Sequence, residues 1–141
     1  MTSKEAYEYM REILFRGKRL DNGEWVYGGY HFEHGFGDPS HYIVEYSTFG
    51  AFTVNNLIKV EPETVGQFTG MLDKNGDKIF EGDVLSLKDE VGKKGIVTVG
   101  FEDGGFIVFK GLAWRYIGVY HNIGNELEVI GNIHDNKENN K

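Results

Sequence analysis

The most constraining feature of this sequence is the regular alternation of short apolar runs with glycine-containing turns. The pairs Asn22-Gly23, Asn75-Gly76 and Asp103-Gly104 each separate two such runs, and these residue pairs readily adopt the positive φ angles that tight hairpin turns need. Twenty glycines against two prolines in 141 residues are typical of many tight turns. The pattern predicts a mainly-β protein, and strands that recur about every ten residues favour a small closed or half-closed barrel.

The apolar runs define the predicted strands. They read ILFRGKRL, EWVYGGY, HYIVEYSTF, AFTVNNLIKV, QFTGML, DKIF, GDVLSL, GIVTVGF, GFIVF, WRYIGVY and LEVIGNI. Residues 31–40, HFEHGFGDPS, are predicted to form a loop because glycine and proline interrupt them. Near the N-terminus, Thr2 and Glu5 have the spacing of a capping box, which predicts a short helix over about residues 3–10. The fold class is therefore β-rich α+β.

Two segments mark boundaries. Residues 61–66, EPETVG, have proline at the first position of a helical turn and glycine just past its end, which favours a boundary after residue 65. Residues 134–141, HDNKENNK, contain no apolar residue, so we expect a flexible tail.

Charge and cysteine content limit the function classes. The formal net charge is −7, and Lys and Arg form no long cluster, which disfavours generic binding to nucleic-acid phosphates. Because the chain has no cysteine, disulfides, zinc-thiolate sites and cysteine nucleophiles are excluded. No run is apolar enough for a signal peptide or a membrane span. We therefore expect a cytoplasmic protein with no membrane partner.

The segment from Asp73 to Asp77 resembles a calcium loop in its acidic spacing. Asp73, Asn75 and Asp77 occupy the first, third and fifth positions of such a loop. Lys78 and Val84, however, stand where an EF-hand needs the glycine of its sharp bend and its closing glutamate. The Asn75-Gly76 turn explains the same residues, so no metal site is predicted here.

The histidines of the predicted loop give a second metal hypothesis. His31, Glu33, His34 and His41 together offer imidazole and carboxylate ligands for a transition metal. Their spacing is not that of HExxH, because only Phe32 and Glu33 separate the first two histidines. A structural or surface role is the favoured interpretation, and the metal site is kept as an alternative.

Motifs for catalysis and cofactor binding are missing from the sequence. It contains no GxSxG nucleophile elbow and neither GxGxxG nor GxxxxGK[ST] for nucleotide phosphates. We therefore expect a protein that is not an enzyme and has no cofactor.

Aromatic residues are more numerous than a small barrel obviously needs, and some are candidates for a binding face. The candidate partner-binding residues are Trp25, Tyr30, Gln67, Trp114 and Tyr116. Such a face suits a protein partner, and stacking of bases on exposed rings is the alternative.

Three blocks of sequence together resemble the YopX family of phage and prophage proteins. They are MREILFRGKRLDNGEWVYG at 10–28, ETVGQFTGMLDKNGDKIFEGDVL at 63–85 and LEVIGNIHDN at 127–136. The resemblance implies a mixed-β N-terminal part over residues 10–65 and an SH3-like β-barrel over residues 66–133. Since the resemblance begins at Met10, residues 1–9 are interpreted as an N-terminal extension. It implies no established activity or catalytic residue.

The favoured function is that of a phage or prophage accessory protein in the bacterial host cytoplasm. We expect a non-enzymatic β module that binds a protein partner or itself as a homo-oligomer. The alternatives are a single-stranded nucleic-acid-binding module and a metal-dependent hydrolase. The hydrolase would be built on the histidine-rich segment, which is defined by His31, Glu33, His34 and His41.

Overall fold

A computed structural model describes residues 1–89, 91–122 and 126–135. The chain divides into two compact units, residues 1–70 and 71–141. The elements, in chain order, are α1 Ser3–Tyr9, β1 Phe15–Lys18, β2 Trp25–Glu33, β3 Ser40–Phe49, β4 Phe52–Lys59, a 3-10 turn at Pro62–Thr64, β5 Gly66–Leu72, β6 Lys78–Phe80, β7 Asp83–Lys88, β8 Lys94–Glu102, β9 Gly105–Lys110, β10 Ala113–Tyr116, α2 Ile117–Asn122 and β11 Glu126–Asn132. The prediction of a mainly-β protein is confirmed.

The short helix predicted at the N-terminus is present as α1. The Glu5 amide donates to the Thr2 hydroxyl at 3.1 Å, and the Thr2 amide donates to the Glu5 carboxylate at 2.8 Å. This reciprocal pair is a capping box, which satisfies backbone donors that the first turn of a helix leaves without partners.

The first unit contains the strands β4-β3-β2-β1-β5, in that order, of a six-stranded sheet whose last strand is β6. Val26, Ile43 and Val60 are buried together as its core. The register pairs Gly17 with Val26 and Tyr30 with Ile43, so these residues lie on one face of the sheet. β2 is longer than predicted: residues 31–33, which the sequence placed in a loop, pair with residues 40–42 of β3. The turn signals begin only after Glu33, and the cross-strand ladder continues up to them.

The second unit has its own sheet, with strand order β10-β9-β8-β7-β11. Its buried core includes Ile79, Leu85, Val99, Val108, Ile117 and Leu127. In the described residues the strand pairings do not join β10 to β11, so a closed ring is not formed there. The SH3-like barrel over residues 66–133 stays a prediction, as does the division into segments 1–9, 10–65, 66–133 and 134–141. Residues 136–141 of the predicted tail lie outside the described residues.

The predicted strand WRYIGVY was wrong in its second half. β10 ends at Tyr116, and the chain continues as the helix α2. Ile117 is 4% exposed and belongs to the core of the second unit. Burial of this side chain outweighs the preference of β-branched and aromatic residues for strands, which is weak and depends on context.

The Asp73 loop is a turn built on one carboxylate. Asp73 Oδ1 accepts hydrogen bonds from the amides of Asn75 at 2.8 Å and Asp77 at 2.9 Å. Its Oδ2 accepts a third from the amide of Val129 in β11, at 2.9 Å. Gly76 has φ +84°, which glycine adopts without steric cost. The turn interpretation is therefore confirmed, and the acidic residue at its start joins the turn to a distant strand.

Candidate functional site

Aromatic side chains are exposed on the outer face of the second unit's sheet, the face opposite Val99 and Val108. Phe109 of β9 pairs with Trp114 of β10, and Ile107 pairs with Tyr116 in the same register. Alternate residues of a strand share a face, so β9 and β10 place all four side chains together. Phe109, Trp114 and Tyr116 are each more than a third exposed.

A shallow groove of about 410 Å³ opens beside three of these residues, Ile107, Phe109 and Trp114. Buried Ile107 lies at its base, and Phe109, Leu112 and Trp114 line it. Gly100 of β8, which pairs with Ile107, provides part of the space. A Cβ atom at Gly100 would lie 3.1 Å from the Phe109 ring, which is tighter than ordinary van der Waals contact. The ring therefore packs over a position that has no side chain.

Tyr116 is held in place by its neighbours. Its hydroxyl donates to the backbone carbonyl of Asp103 at 3.0 Å, and its ring meets Trp114 edge to face, with centroids 5.3 Å apart. A Cβ atom at Gly105 would lie 2.8 Å from the Tyr116 ring, so the ring lies directly against the Gly105 backbone. A fixed aromatic surface loses little side-chain entropy when it binds, which favours affinity.

The groove is weakly charged. Among the residues that line it, Glu102 is the one ionisable side chain. Such an apolar, open concavity suits the insertion of an aliphatic or aromatic side chain, with the rings as anchors. It offers no cluster of donors for a phosphate or a substrate oxyanion.

The structure brings together two of the five predicted partner-binding residues. Trp114 and Tyr116 are neighbours in the groove region, whereas Trp25, Tyr30 and Gln67 belong to the first unit. The Trp25 ring lies 4.5 Å from the Arg16 guanidinium carbon and 5.4 Å from Lys18 Nζ, which are cation–π distances. This ring is half-buried and already engaged within its own sheet.

Tyr30 and Gln67 are also half-buried in the first unit. The Tyr30 hydroxyl forms a hydrogen bond with His41 Nδ1, and its ring centroid is 5.5 Å from that of Phe15. Gln67 lies across from Phe15 in the pairing of β1 with β5. Their side chains are thus packed among strands, in contrast to the exposed rings of the second unit.

The four candidate metal ligands do not converge. His31 and Glu33 lie on one face of β2, and His41 pairs with Phe32, so it lies on the opposite face. His34 follows the strand, with its ring centroid 6.0 Å from that of Phe32. Across residues 1–89, 91–122 and 126–135, no group of three or more His, Asp or Glu side chains is arranged to hold a metal ion.

Sequence reasoning missed Gly100, Ile107, Phe109 and Leu112 of the groove. The alternation of Ile107 and Phe109 in GFIVFK was the available signal, because it places two large apolar side chains on one strand face. The register that sets this face beside Trp114 depends on the turn at 111–112, and no local pattern in the sequence specifies it.

These features define a class: mainly-β proteins with two small antiparallel sheets and an exposed aromatic groove. The chain belongs to the YopX family, since the family described as YopX protein matches residues 14–139. This match confirms the resemblance of the three sequence blocks. No curated protein matches the sequence.

A solved structure supports the fold. The crystal structure of protein EF1440 from Enterococcus faecalis is similar to this chain with a TM-score of 0.54 and 22% sequence identity, and the match covers 94% of this chain and 100% of that one. At this identity the likeness concerns the fold alone. Neither helix in the described part of the chain has the length and apolar character needed to cross a bilayer.

Proposed function

We propose that this protein is a non-enzymatic, protein-binding β module and that its partner inserts an apolar side chain into the groove at Phe109 and Trp114. The observation that carries the proposal is the exposure of three aromatic rings beside a concavity of about 410 Å³. Trp and Tyr are enriched among the residues that dominate binding energy at protein interfaces.

The charge of the groove favours a protein over a nucleic acid. Affinity for nucleic acid comes largely from Lys and Arg that neutralise phosphates, whereas this groove carries Glu102 on a chain of net charge −7. Stacking of single-stranded bases on Trp114 is the second candidate function, since the exposed ring is the one feature that supports it.

The biological setting is part of the same proposal. Membership of the YopX family supports a phage or prophage accessory role in the cytoplasm of a bacterial host. The second unit is proposed to act as an SH3-like binding module, with its aromatic residues on the sheet face. No cofactor or metal is assigned to it, and a hydrolase based on the histidine-rich segment would need ligands that the pairing of β2 with β3 separates.

Affinity capture with groove variants tests the proposal. Bacterial lysate carrying the phage or prophage is passed over wild-type protein, Trp114→Ala, Phe109→Ala and the control Val91→Ala, whose exposed side chain lies in the β7–β8 loop. A specific partner should be captured by wild type and the control, and we expect each groove variant to weaken its binding about 30-fold, the effect of losing a hot-spot side chain. Equal binding by all four proteins would refute the groove as the site.

The nucleic-acid alternative has its own measurement. Oligo-dT is titrated at low ionic strength while Trp114 fluorescence is followed in a Trp25→Phe background. Quenching that weakens steeply with added salt would replace the protein-binding proposal with base stacking. An unchanged signal is the result that we expect.

A further inference from the structure

The distal part of the β3–β4 hairpin, residues 46–57, forms an arm that no other element of the described residues covers. Pairs from Tyr46 with Asn55 to Phe49 with Phe52 continue the ladder beyond the core pair Ile43 and Ile58. Apart from half-buried Ser47, every residue of the arm is exposed. A two-stranded hairpin has little stability by itself in water.

The arm carries large apolar side chains on both faces. Phe49, Phe52 and Val54 share one face by register, and Tyr46 and Leu57 share the other. Phe49 is 67% exposed, Phe52 is 75% exposed and Tyr46 is 65% exposed. Apolar side chains concentrated in this way mark an interaction surface rather than ordinary solvent-facing residues.

The edge of the arm lacks the usual protection against strand pairing. β4 is the terminal strand of its sheet within the described residues, and residues 46–57, YSTFGAFTVNNL, contain neither a charge nor a proline. Natural proteins normally blunt an exposed edge with Lys, proline or a bulge, because an open edge offers unpaired backbone groups to another strand.

We propose that the occupant of this edge is a second copy of the same chain, with β4 pairing antiparallel to β4 of its partner about a two-fold axis. An axis perpendicular to the sheet keeps each face continuous across the contact, so the stripe of Phe52 and Val54 meets its own counterpart. A two-fold contact requires a self-complementary surface, and an uncharged strand meets that requirement without repulsion between like charges.

The charge distribution favours self-pairing at this place. Each chain has a net charge of −7, so two copies repel each other unless they meet where no charge lies. The arm offers twelve consecutive uncharged residues, and a strongly basic or acidic partner would find no complementary charge there. Pairing along Phe52–Leu57 gives about six backbone hydrogen bonds, against about ten direct bonds in a typical protein interface.

Self-association through the arm is independent of binding at the groove. The arm lies in the first unit and the groove in the second, so the two surfaces are tested by different variants. Trp114→Ala should leave self-association unchanged, and arm variants should leave partner binding at the groove unchanged.

Oligomeric mass is the first test. Wild type is examined by sedimentation at concentrations up to about 100 μM beside Phe52→Lys/Val54→Lys and the matched control Val91→Lys. We expect wild type and the control to reach twice the 16.0 kDa of one chain, and the dissociation constant of the double variant to rise about 100-fold or more. A monomeric wild type overturns the proposal, as does a double variant that still dimerises like wild type.

Cysteine cross-linking tests the same contact without disturbing charge or fold. Because the chain has no native cysteine, single cysteines placed in turn from Phe52 to Leu57 report only on their own neighbourhood. Mild oxidation should cross-link strongly at the residue nearest the two-fold axis, where Cα atoms of paired strands fall within disulfide range. Absence of any cross-link along this stretch, or equal cross-linking at a Val91→Cys control, overturns the pairing of β4 with itself. So does recovery of the arm cross-linked only to a different protein.

Discussion

Replacement of Asp73 tests the interpretation of the 73–77 turn as a structural element of the second unit. Asp73→Ala removes all three acceptor contacts, to the amides of Asn75, Asp77 and Val129. Asp73→Asn keeps an oxygen in place of Oδ1 but presents an amide NH₂ to the Val129 amide. The two variants therefore separate the turn contacts from the contact with β11.

The loss of stability expected for each variant depends on where the three amide donors to Asp73 lie. The Asn75 and Asp77 amides belong to a surface turn, so water replaces much of what the carboxylate supplied. The Val129 amide is in a strand and loses its partner outright, which costs about 1–3 kcal/mol. We expect Asp73→Asn to lower the free energy of unfolding by about 1–2 kcal/mol and Asp73→Ala by about 3 kcal/mol. Asp77→Asn leaves the backbone contacts intact and should stay within about 0.5 kcal/mol of wild type.

The contribution of the Asp73 carboxylate should depend on pH with a defined sign. Burial raises the pKa of Asp73, but the hydrogen bonds from the Val129, Asp77 and Asn75 amides outweigh it and hold the pKa below its ordinary value. A depressed pKa stabilises the folded state above the unfolded pKa, and that stabilisation is lost as the pH falls through the folded pKa. The difference in free energy of unfolding between wild type and Asp73→Asn should therefore be constant near neutral pH and should decrease below about pH 4.

Urea unfolding followed by tryptophan fluorescence measures these effects in the relevant unit. Trp25 lies in the first unit and Trp114 in the second, so a Trp25→Phe background makes the signal report on the unit that contains Asp73. With the typical urea dependence of a small domain, about 1–3 kcal/mol per M, the expected loss for Asp73→Ala should shift the unfolding midpoint by about 1–3 M. The far-ultraviolet circular dichroism of each variant checks that its strands remain formed.

Two results would refute this account of Asp73. One is a decrease in the free energy of unfolding of less than about 0.5 kcal/mol for Asp73→Ala, since the loss of three hydrogen bonds to a carboxylate should cost more than that. The other is a wild-type advantage over Asp73→Asn that stays the same at pH 7 and pH 3. Stabilisation of wild type by added calcium would also reopen the ion-site interpretation that the loop spacing argued against.

Gly28, Gly29 and Gly105 differ in the space that an added Cβ atom would find. A Cβ atom at Gly28 would lie 2.0 Å from a backbone oxygen of β3, whereas one at neighbouring Gly29 would have its nearest contacts at 3.8 Å. In thermal or urea unfolding, Gly28→Ala should lower the free energy of unfolding by about 3 kcal/mol or more, and Gly29→Ala should change it by no more than about 0.5 kcal/mol. Equal effects of the two substitutions would contradict this difference in space. Gly105→Ala should displace the Tyr116 ring and break its hydrogen bond to Asp103, which lowers the free energy of unfolding by about 1 kcal/mol. NMR spectra should show a changed environment for Tyr116. An undisturbed ring would show that its contact with Gly105 is loose.

Local signals in the sequence were sufficient for much of the fold. Features that depend on a few adjacent residues can be recognised from one sequence. These are the capping box at Thr2 and Glu5 and the turns at Gly23, Gly76 and Gly104, three glycines that have positive φ. Residues 31–33 and 117–120 were mispredicted because their state depends on distant contacts. The first pairs with β3, and the second buries Ile117 in the core of the second unit.

The candidate site could be predicted only in part. Trp114 and Tyr116 were identified because they are aromatic, and the same reasoning selected Trp25. What separates them is cross-strand pairing: Lys18 lies directly opposite Trp25, so a cation covers that ring, whereas Phe109 lies opposite Trp114 and leaves an open apolar surface. Residue type alone cannot make this distinction, since it depends on which face of each strand the rest of the unit covers.

The most patterned stretch of the chain, residues 66–85, therefore encodes architecture, and the reason lies in its carboxylates. Asp73 binds three backbone amides through both of its oxygens, and Asp83, which is 1% exposed, accepts the Phe80 amide at 2.8 Å. Carboxylates used in this way fix turns and have little capacity left for an external ligand. Binding is expected where exposed apolar side chains lie together with few or no charges, as at the groove beside Trp114 and along the arm around Val54. Charge-changing variants of these two surfaces, with the Asp73 turn left intact, should thus alter association while preserving the stability of each unit.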